Sequence, residues 1–190
     1  LQGSVTGMGT GLAASAGIGV ISGKRPIAFM GDGTFWHSGL TTSIANAVYD
    51  NLDAVLIIFD NLWTAMTGHQ ENPSSHRNIR GETIPVMSIE ATLRGMGVRW
   101  VRTVNPYDMA QSYAALCEAV VTPEGGLKVV ISRAECELER NRRERAPVQL
   151  AIQQGAHTEL PKFGVDPDVC TGDHSCMRLN GCPSLTLKAN

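Results

Sequence analysis

Four short, almost unbroken apolar runs constrain this chain more than any other feature: RPIAFM (Arg25 to Met30), AVLIIFD (Ala54 to Asp60), VRWVRT (Val98 to Thr103) and LKVVIS (Leu127 to Ser132). A strand with one wet face alternates apolar and polar residues. Runs without that alternation suit parallel strands covered on both sides. Helix-like stretches lie between them: residues 9–22, rich in small residues; 38–50, opening with Ser38 as a cap; 88–97; and 105–121. Strand and helix in regular alternation predict βαβ units, and so an α/β fold built as a three-layer, doubly wound, mostly parallel sheet.

Length and charge set the outer limits. With 190 residues, 18% of them charged, and a net charge of -2, the chain suits one globular domain with an appendage. The expected boundaries are a domain over 1–145, a linker over 146–165 and a small cysteine-bearing segment over 166–190. The charge-dense ECELERNRRERAPVQ reads as a solvated helix end running into the linker. No basic stripe for nucleic acid is present. No apolar run approaches the roughly 20 residues of a membrane span, and the first residues lack a signal-peptide pattern, so a cytoplasmic location is expected. The absence of an initiator Met suggests a piece of a longer polypeptide.

Chemistry starts at the strand tips. IAFMGDGTFWHSG leaves its strand through Gly31, Asp32 and Gly33, which allows a sharp turn, a close backbone approach and one carboxylate at the carboxyl edge of the sheet. Taken alone, a GDG triplet is often turn chemistry. One βαβ unit later, IIFDNLWTAMTGHQ brings Asp60 and Asn61 to the equivalent edge, where Asp32 and Asn61 can converge. A carboxylate, an amide oxygen and a loop carbonyl form a hard-oxygen half-shell suited to Mg²⁺, with room left for a diphosphate. Backbone amides at a helix start near Ser38 would help offset its charge.

The spacing of these motifs resembles the thiamine diphosphate enzymes, and the two long segments resemble the 2-oxoacid:ferredoxin oxidoreductases, in particular the indolepyruvate branch. The likeness covers most of residues 1–137. It implies thiamine diphosphate and Mg²⁺ as cofactors, with Asp32, Asn61 and the Trp63 carbonyl as metal ligands. Gly31, Gly33, Thr34, Met66 and Thr67 would line the cofactor. SVTGMGTGLAASAG resembles the segment that approaches the thiazolium and aminopyrimidine rings, which implicates Met8 and Gly9. His37 and His69 are the candidate catalytic groups, as proton carriers or donors to a substrate carboxylate; both also suit ordinary loop histidines. Trp36 and Trp63 could wall an aromatic substrate pocket or simply pack.

The reaction implied is oxidative decarboxylation of a 2-oxoacid, such as an aryl pyruvate, to an acyl-CoA, with electrons leaving through iron-sulfur clusters to ferredoxin. The family also uses a pyrimidine-binding domain that nothing here resembles. A partner domain or subunit is therefore expected, in a homodimer or hetero-oligomer, and this piece alone should not turn over.

CTGDHSCMRLNGCP (residues 170–183) holds three of the chain's five cysteines. A ferredoxin-like loop is written C-x2-C-x2-C with a following C-P. In that register Cys170, Asp173, Cys176 and Cys182 stand as candidate ligands of a 4Fe-4S cluster, with Asp173 where a cysteine is usual. A zinc site and three unconnected thiols are the alternatives. A non-redox 2-oxoacid decarboxylase would have no use for this tail, and a Rossmann-like binding module with a zinc tail would need no thiamine at all.

Overall fold

The structure is a computed structural model and describes residues 8–156 and 164–179. The chain divides into two compact units, Leu1–Arg145 and Ala146–Asn190.

The first unit is built on four strands, β1 (Ile27–Gly31), β2 (Val55–Asp60), β3 (Trp100–Val104) and β4 (Lys128–Arg133), all parallel in the order β1-β2-β4-β3. Ile57 of β2 stands beside Phe29 of β1 and Val130 of β4, so the central strands are paired on both edges. Alternate residues divide between two cores. Ala28, Met30, Leu56, Ile58, Val129 and Ile131 face α1 (Thr10–Ser22), the helical segment after β1, and α4 (Ile89–Gly95), with Leu12, Ile44 and Leu93 among the buried side chains opposite. Val55, Ile57, Trp100, Val104 and Val130 face Ala115 and Ala119 of α5 (Met109–Val121). Both faces of the sheet are thus covered, which explains the unbroken apolar runs and makes the fold three-layered.

Two local readings change. Helical backbone begins at Asp32, directly after β1, rather than at Ser38: α2 (Asp32–Thr34) continues as a π-helical stretch (Phe35–Ile44) and then α3 (Ala45–Tyr49). The wider turn shows at its end, where the Ala45 amide donates to the Leu40 carbonyl five residues back. Ser38 therefore lies inside a helix, and the amides expected to be free beside it are not at a helix start. Gly39 permits this packing, since a Cβ there would fall 2.7 Å from Met30 Cε. Helix α5 starts at Met109 rather than 105, because Asp108 accepts from the Gln111 amide at 3.0 Å and caps it. Ser88 caps α4, accepting from the Ala91 amide at 3.1 Å.

At the amino-terminal edge, Lys128 is fully buried and donates to Asp53, which Arg25 also grips at 2.9 and 3.1 Å. Burial opposes ionisation of Asp53, but Lys128 and then Arg25 outweigh it and hold the carboxyl below its usual range.

Helix α6 (Glu137–Gln153) continues past the end of the first unit, through the start of the stretch expected to be linker. Its charged residues pair along the helix, with Arg140 reaching Glu137 at 2.9 Å and Glu144 at 3.9 Å. In the second unit the Cys170 amide closes a turn onto the Asp166 carbonyl at 3.0 Å, and α7 (Ser175–Arg178) follows.

Candidate functional site

Because helix follows strand without a loop, Asp32 is drawn into the protein and is only 2% exposed. One carboxylate oxygen accepts from the Gly33 amide at 2.6 Å, and the other is buried with no partner among the described residues. Burial pushes the Asp32 carboxyl up to about 6. The Asp60 charge pushes the same way, while the amides of Gly33, Asn72 and Leu62 work against it. Asp60 ends β2 beside it and is 1% exposed. Its Oδ2 accepts from Arg133 Nε at 2.7 Å, and its Oδ1 is also buried without a partner among the described residues. Two carboxylates thus share a buried corner with a single guanidinium against them.

The chain after β2 supplies the other wall. Asn61 Oδ1 accepts from the Trp63 amide at 3.0 Å, which folds the backbone back at the strand tip. Thr64 and Gln70 pair through both amides, at 2.9 and 3.0 Å, and Gln70 also donates to the Thr67 carbonyl at 2.8 Å, closing a small hairpin around AMTGH. Leu62 (φ 69) and His69 (φ 58) bracket the hairpin in the left-handed region. Each costs about 1–3 kcal/mol and persists only where the surroundings enforce it, and such residues gather where function needs a fixed backbone. Gly33 is required where hairpin meets helix: a Cβ there would lie 2.8 Å from Thr64 Cγ2 and 2.9 Å from Thr64 Cβ.

Three cavities surround this hairpin. One of about 230 Å³ is lined by Met8, Gly31, Asp32, Gly33, Thr34, Asn61, Trp63, Met66 and Thr67, together with Phe59, Thr64 and Ala65. The structure therefore gathers there nearly every residue picked from the sequence for the cofactor and its metal. Gly9, at φ 90, lies close by, for a Cβ on it would fall 3.1 Å from Ser38 Oγ and 3.2 Å from Thr34 Cγ2. A second cavity of about 740 Å³ shares Met8, Gly33, Thr34, Thr64 and Thr67 with the first and adds His37 and Trp36. Trp36 donates to Ser74 Oγ at 2.7 Å and packs edge-on against Phe35. His69 borders neither; it lines a third cavity of about 710 Å³. There its ring stacks on Trp63 at 4.6 Å and its Nε2 meets Glu139 Oε2 at 3.0 Å, while its Nδ1 is buried without a partner among the described residues.

Residues 1–132 match the pattern of the thiamine pyrophosphate enzyme C-terminal TPP binding domain. The chain belongs to the thiamine pyrophosphate enzymes. It is 35% identical over 164 residues to a protein of Pyrococcus abyssi named indolepyruvate oxidoreductase subunit IorA, covering 86% of this chain and 23% of that one. A protein of the same name from Archaeoglobus fulgidus is 35% identical over 178 residues, covering 94% of this chain and 26% of the relative. The chain thus spans about a quarter of the length of these relatives. Among solved structures, a 2-oxoglutarate:ferredoxin oxidoreductase from Magnetococcus marinus superposes with a TM-score of 0.59 at 18% identity, over 67% of this chain and 45% of that one. That likeness shows the fold.

The donor set fits a thiamine diphosphate domain's divalent cation. A buried, unpartnered carboxylate oxygen on Asp32 is costly in a bare site and is what a cation would satisfy. Asn61 Oδ1 has one lone pair committed to Trp63 and one left over.

The described part of the cysteine segment, residues 164–179, offers no comparable site. Cys170 and Cys176 are exposed, and Asp173 accepts from the Ser175 hydroxyl at 2.6 Å and its amide at 3.0 Å, which hold its carboxyl below the usual range. Cys182 lies outside the described residues. Among the described residues no group of three or more His, Cys, Asp or Glu could hold a metal ion.

Four participants were not picked from the sequence as site residues. Asp60 was visible beside Asn61, but only the fold shows it facing Asp32. Thr64 packs on Gly33. Asn72 donates to Thr64 Oγ1 at 3.2 Å and also bears on Asp32, though nothing in ENPSS beyond a turn marks it. Glu139 reaches His69 from 70 residues away and has no local sequence signal.

Proposed function

We propose that this chain is the diphosphate- and Mg²⁺-gripping part of an oxidoreductase that decarboxylates a 2-oxoacid oxidatively, passing the acyl group to coenzyme A and electrons to ferredoxin. An aryl pyruvate is the proposed substrate, in keeping with the name of the IorA relatives. The observation behind the assignment is the 230 Å³ cavity, where Asp32, with its orphaned oxygen, meets Asn61 and Trp63.

In this reading Asp32, Asn61 Oδ1 and the Trp63 carbonyl hold Mg²⁺, and Gly31, Gly33 and Thr34 line the diphosphate. The hairpin residues Met66 and Thr67 border it from the other side, and Met8 and Gly9 approach the rings. Thiamine diphosphate held there would supply a nucleophilic carbon and an electron sink for decarboxylation of the 2-oxoacid. His37, exposed in the 740 Å³ cavity, is placed to carry a proton or to donate to the substrate carboxylate. His69, held by Glu139, lies one cavity further along and orders the hairpin as well as offering a proton-carrying group.

Cys170, Cys176 and Cys182, with or without Asp173, are proposed to serve a 4Fe-4S cluster in the assembled enzyme. The described residues by themselves form no site for it. The remaining partners are a pyrimidine-binding domain or subunit and a second protomer. A cytoplasmic setting is part of the proposal. No helix among the described residues is long and apolar enough to cross a membrane.

Calorimetry of thiamine diphosphate binding to the complete enzyme tests the assignment. Binding should require Mg²⁺ and disappear in Asp32→Ala, and the wild type should reduce ferredoxin in the presence of an aryl pyruvate and coenzyme A. Mg²⁺-independent binding, or binding that survives Asp32→Ala, would sink it. Iron analysis and EPR of anaerobically prepared protein test the cluster separately: an iron-free sample binding stoichiometric zinc would exclude it.

A further inference from the structure

We infer that the 710 Å³ cavity beyond the hairpin is the subsite for a planar aryl side chain on the 2-oxoacid, and that Trp63, Ile84 and Met87 set the enzyme's preference for it. This deepens the functional proposal and rests on it.

The first ground is position. The three cavities follow one another along a single stretch of chain. The 230 Å³ and 740 Å³ cavities share Thr64 and Thr67, and the 740 Å³ and 710 Å³ cavities share the stretch from Gln70 to Pro73. The third cavity is therefore the next open space along the chain from the residues proposed to hold the cofactor and from His37. Its volume falls within the roughly 300–1,000 Å³ of ordinary small-molecule sites.

Chemistry is the second ground. Trp63, Pro73, Ile79, Ile84 and Met87 give the third cavity apolar walls. Several of its polar lining groups are already engaged. Asn78 is tied to Glu82 at 2.7 Å and accepts from the amides of Arg80 and Glu82, and Gln70 is tied to Thr67. The imidazole of His69, 8% exposed, is stacked at 8° on the Trp63 ring and pinned through Nε2 by Glu139. Trp63 therefore cannot turn freely, and a rigid aromatic wall selects planar ligands at little entropic cost. His69 Nδ1, buried and unpartnered, leaves a hydrogen-bonding atom on a residue of that wall uncommitted. Arg77 and Glu71, the charged lining residues of opposite sign, offer no net charge that would favour a dicarboxylic acid over an aryl one.

The test is a substrate comparison on the complete enzyme loaded with thiamine diphosphate and Mg²⁺. The ratio of kcat/KM for an aryl pyruvate to that for pyruvate is measured in wild type, Met87→Trp, which narrows the cavity, and Met87→Ala, which enlarges it. Met87→Trp should lower the ratio about tenfold or more, chiefly through the aryl pyruvate's KM, as expected when a hydrophobic pocket loses its fit. Met87→Ala should move preference toward bulkier rings. If near-UV circular dichroism shows that Met87→Trp misfolds, Met87→Ala and Ile84→Ala decide the matter. Calorimetry also compares an unreactive arylpropionate with propionate on the wild type, and only the former should bind. Ratios within twofold of wild type in folded variants, or equal binding of the two acids, would overturn the subsite while leaving the functional assignment in place. An enzyme that binds no thiamine diphosphate would overturn both.

Discussion

At the scale of single residues, Asp32 dominates. Its carboxyl ordinarily titrates near 3.8 and is raised to about 6 in the folded protein, so the fold favours the protonated form. A raised acid stabilises below its unfolded value, and that stability is lost as pH rises from about 4 to about 6. At 1.36 kcal/mol per unit, the loss is about 3 kcal/mol at most. Without Mg²⁺, wild type should therefore lose stability relative to Asp32→Asn between pH 4 and pH 7, in denaturant melts compared at each pH. With Mg²⁺ and thiamine diphosphate the order should reverse, because the ligand binds only the wild type. A flat difference across that range would show that Asp32 is not the strained group. Gly33 gives a second prediction at this scale. Gly33→Ala should lower the melting temperature and weaken cofactor binding, and adding Thr64→Ala should restore part of both, since it removes the nearest atoms met by the new Cβ.

At the scale of elements, the strand edges differ in what they need. The carboxyl edge stores unpaired buried oxygens and left-handed residues, whereas the amino edge neutralises its one buried ammonium, Lys128, with Asp53 and backs that pair with Arg25. Asp53→Ala leaves that ammonium buried without its partner and should cost about 3–5 kcal/mol. Lys128→Met, which removes the charge and keeps the volume, should cost clearly less. Chemical denaturation of both variants at neutral pH measures the difference, and equal costs would mean the pair acts only through packing. The four strands were legible because burial on both faces leaves unbroken apolar runs. The start of the second helix was not. A π-helical stretch has no 3.6-residue period to detect, and the close packing that Gly39 permits against Met30 of β1 is a contact between segments.

At the scale of the whole molecule, stability should be graded outward from the middle of the sheet. Strands β2 and β4 are paired on both edges and buried on both faces, so Val55–Ile58 and Val129–Ile131 should exchange their amide hydrogens most slowly. The hairpin from Thr64 to Gln70, half exposed and held by few bonds, should exchange much faster and gain protection when Mg²⁺ and thiamine diphosphate are added. Hydrogen-exchange mass spectrometry reads both. Protection gained at α5 instead of the hairpin would place the ligand on the other face of the sheet.

What the sequence determined by itself was local. Apolar runs fixed the strands, and the GDG and DN pairs at their tips, together with the two longer motifs, marked the family and the residues that line the 230 Å³ cavity. These are short-range signals, written within one strand or one turn. Tertiary structure decided the rest: that Asp32 is buried against Asp60, which Arg133 of β4 pairs, that Thr64, held by Asn72, closes on Gly33, and that Glu139 pins His69 from 70 residues away. Burial and charge pairing depend on which segments meet across the sheet, and no period or spacing along the chain encodes that meeting.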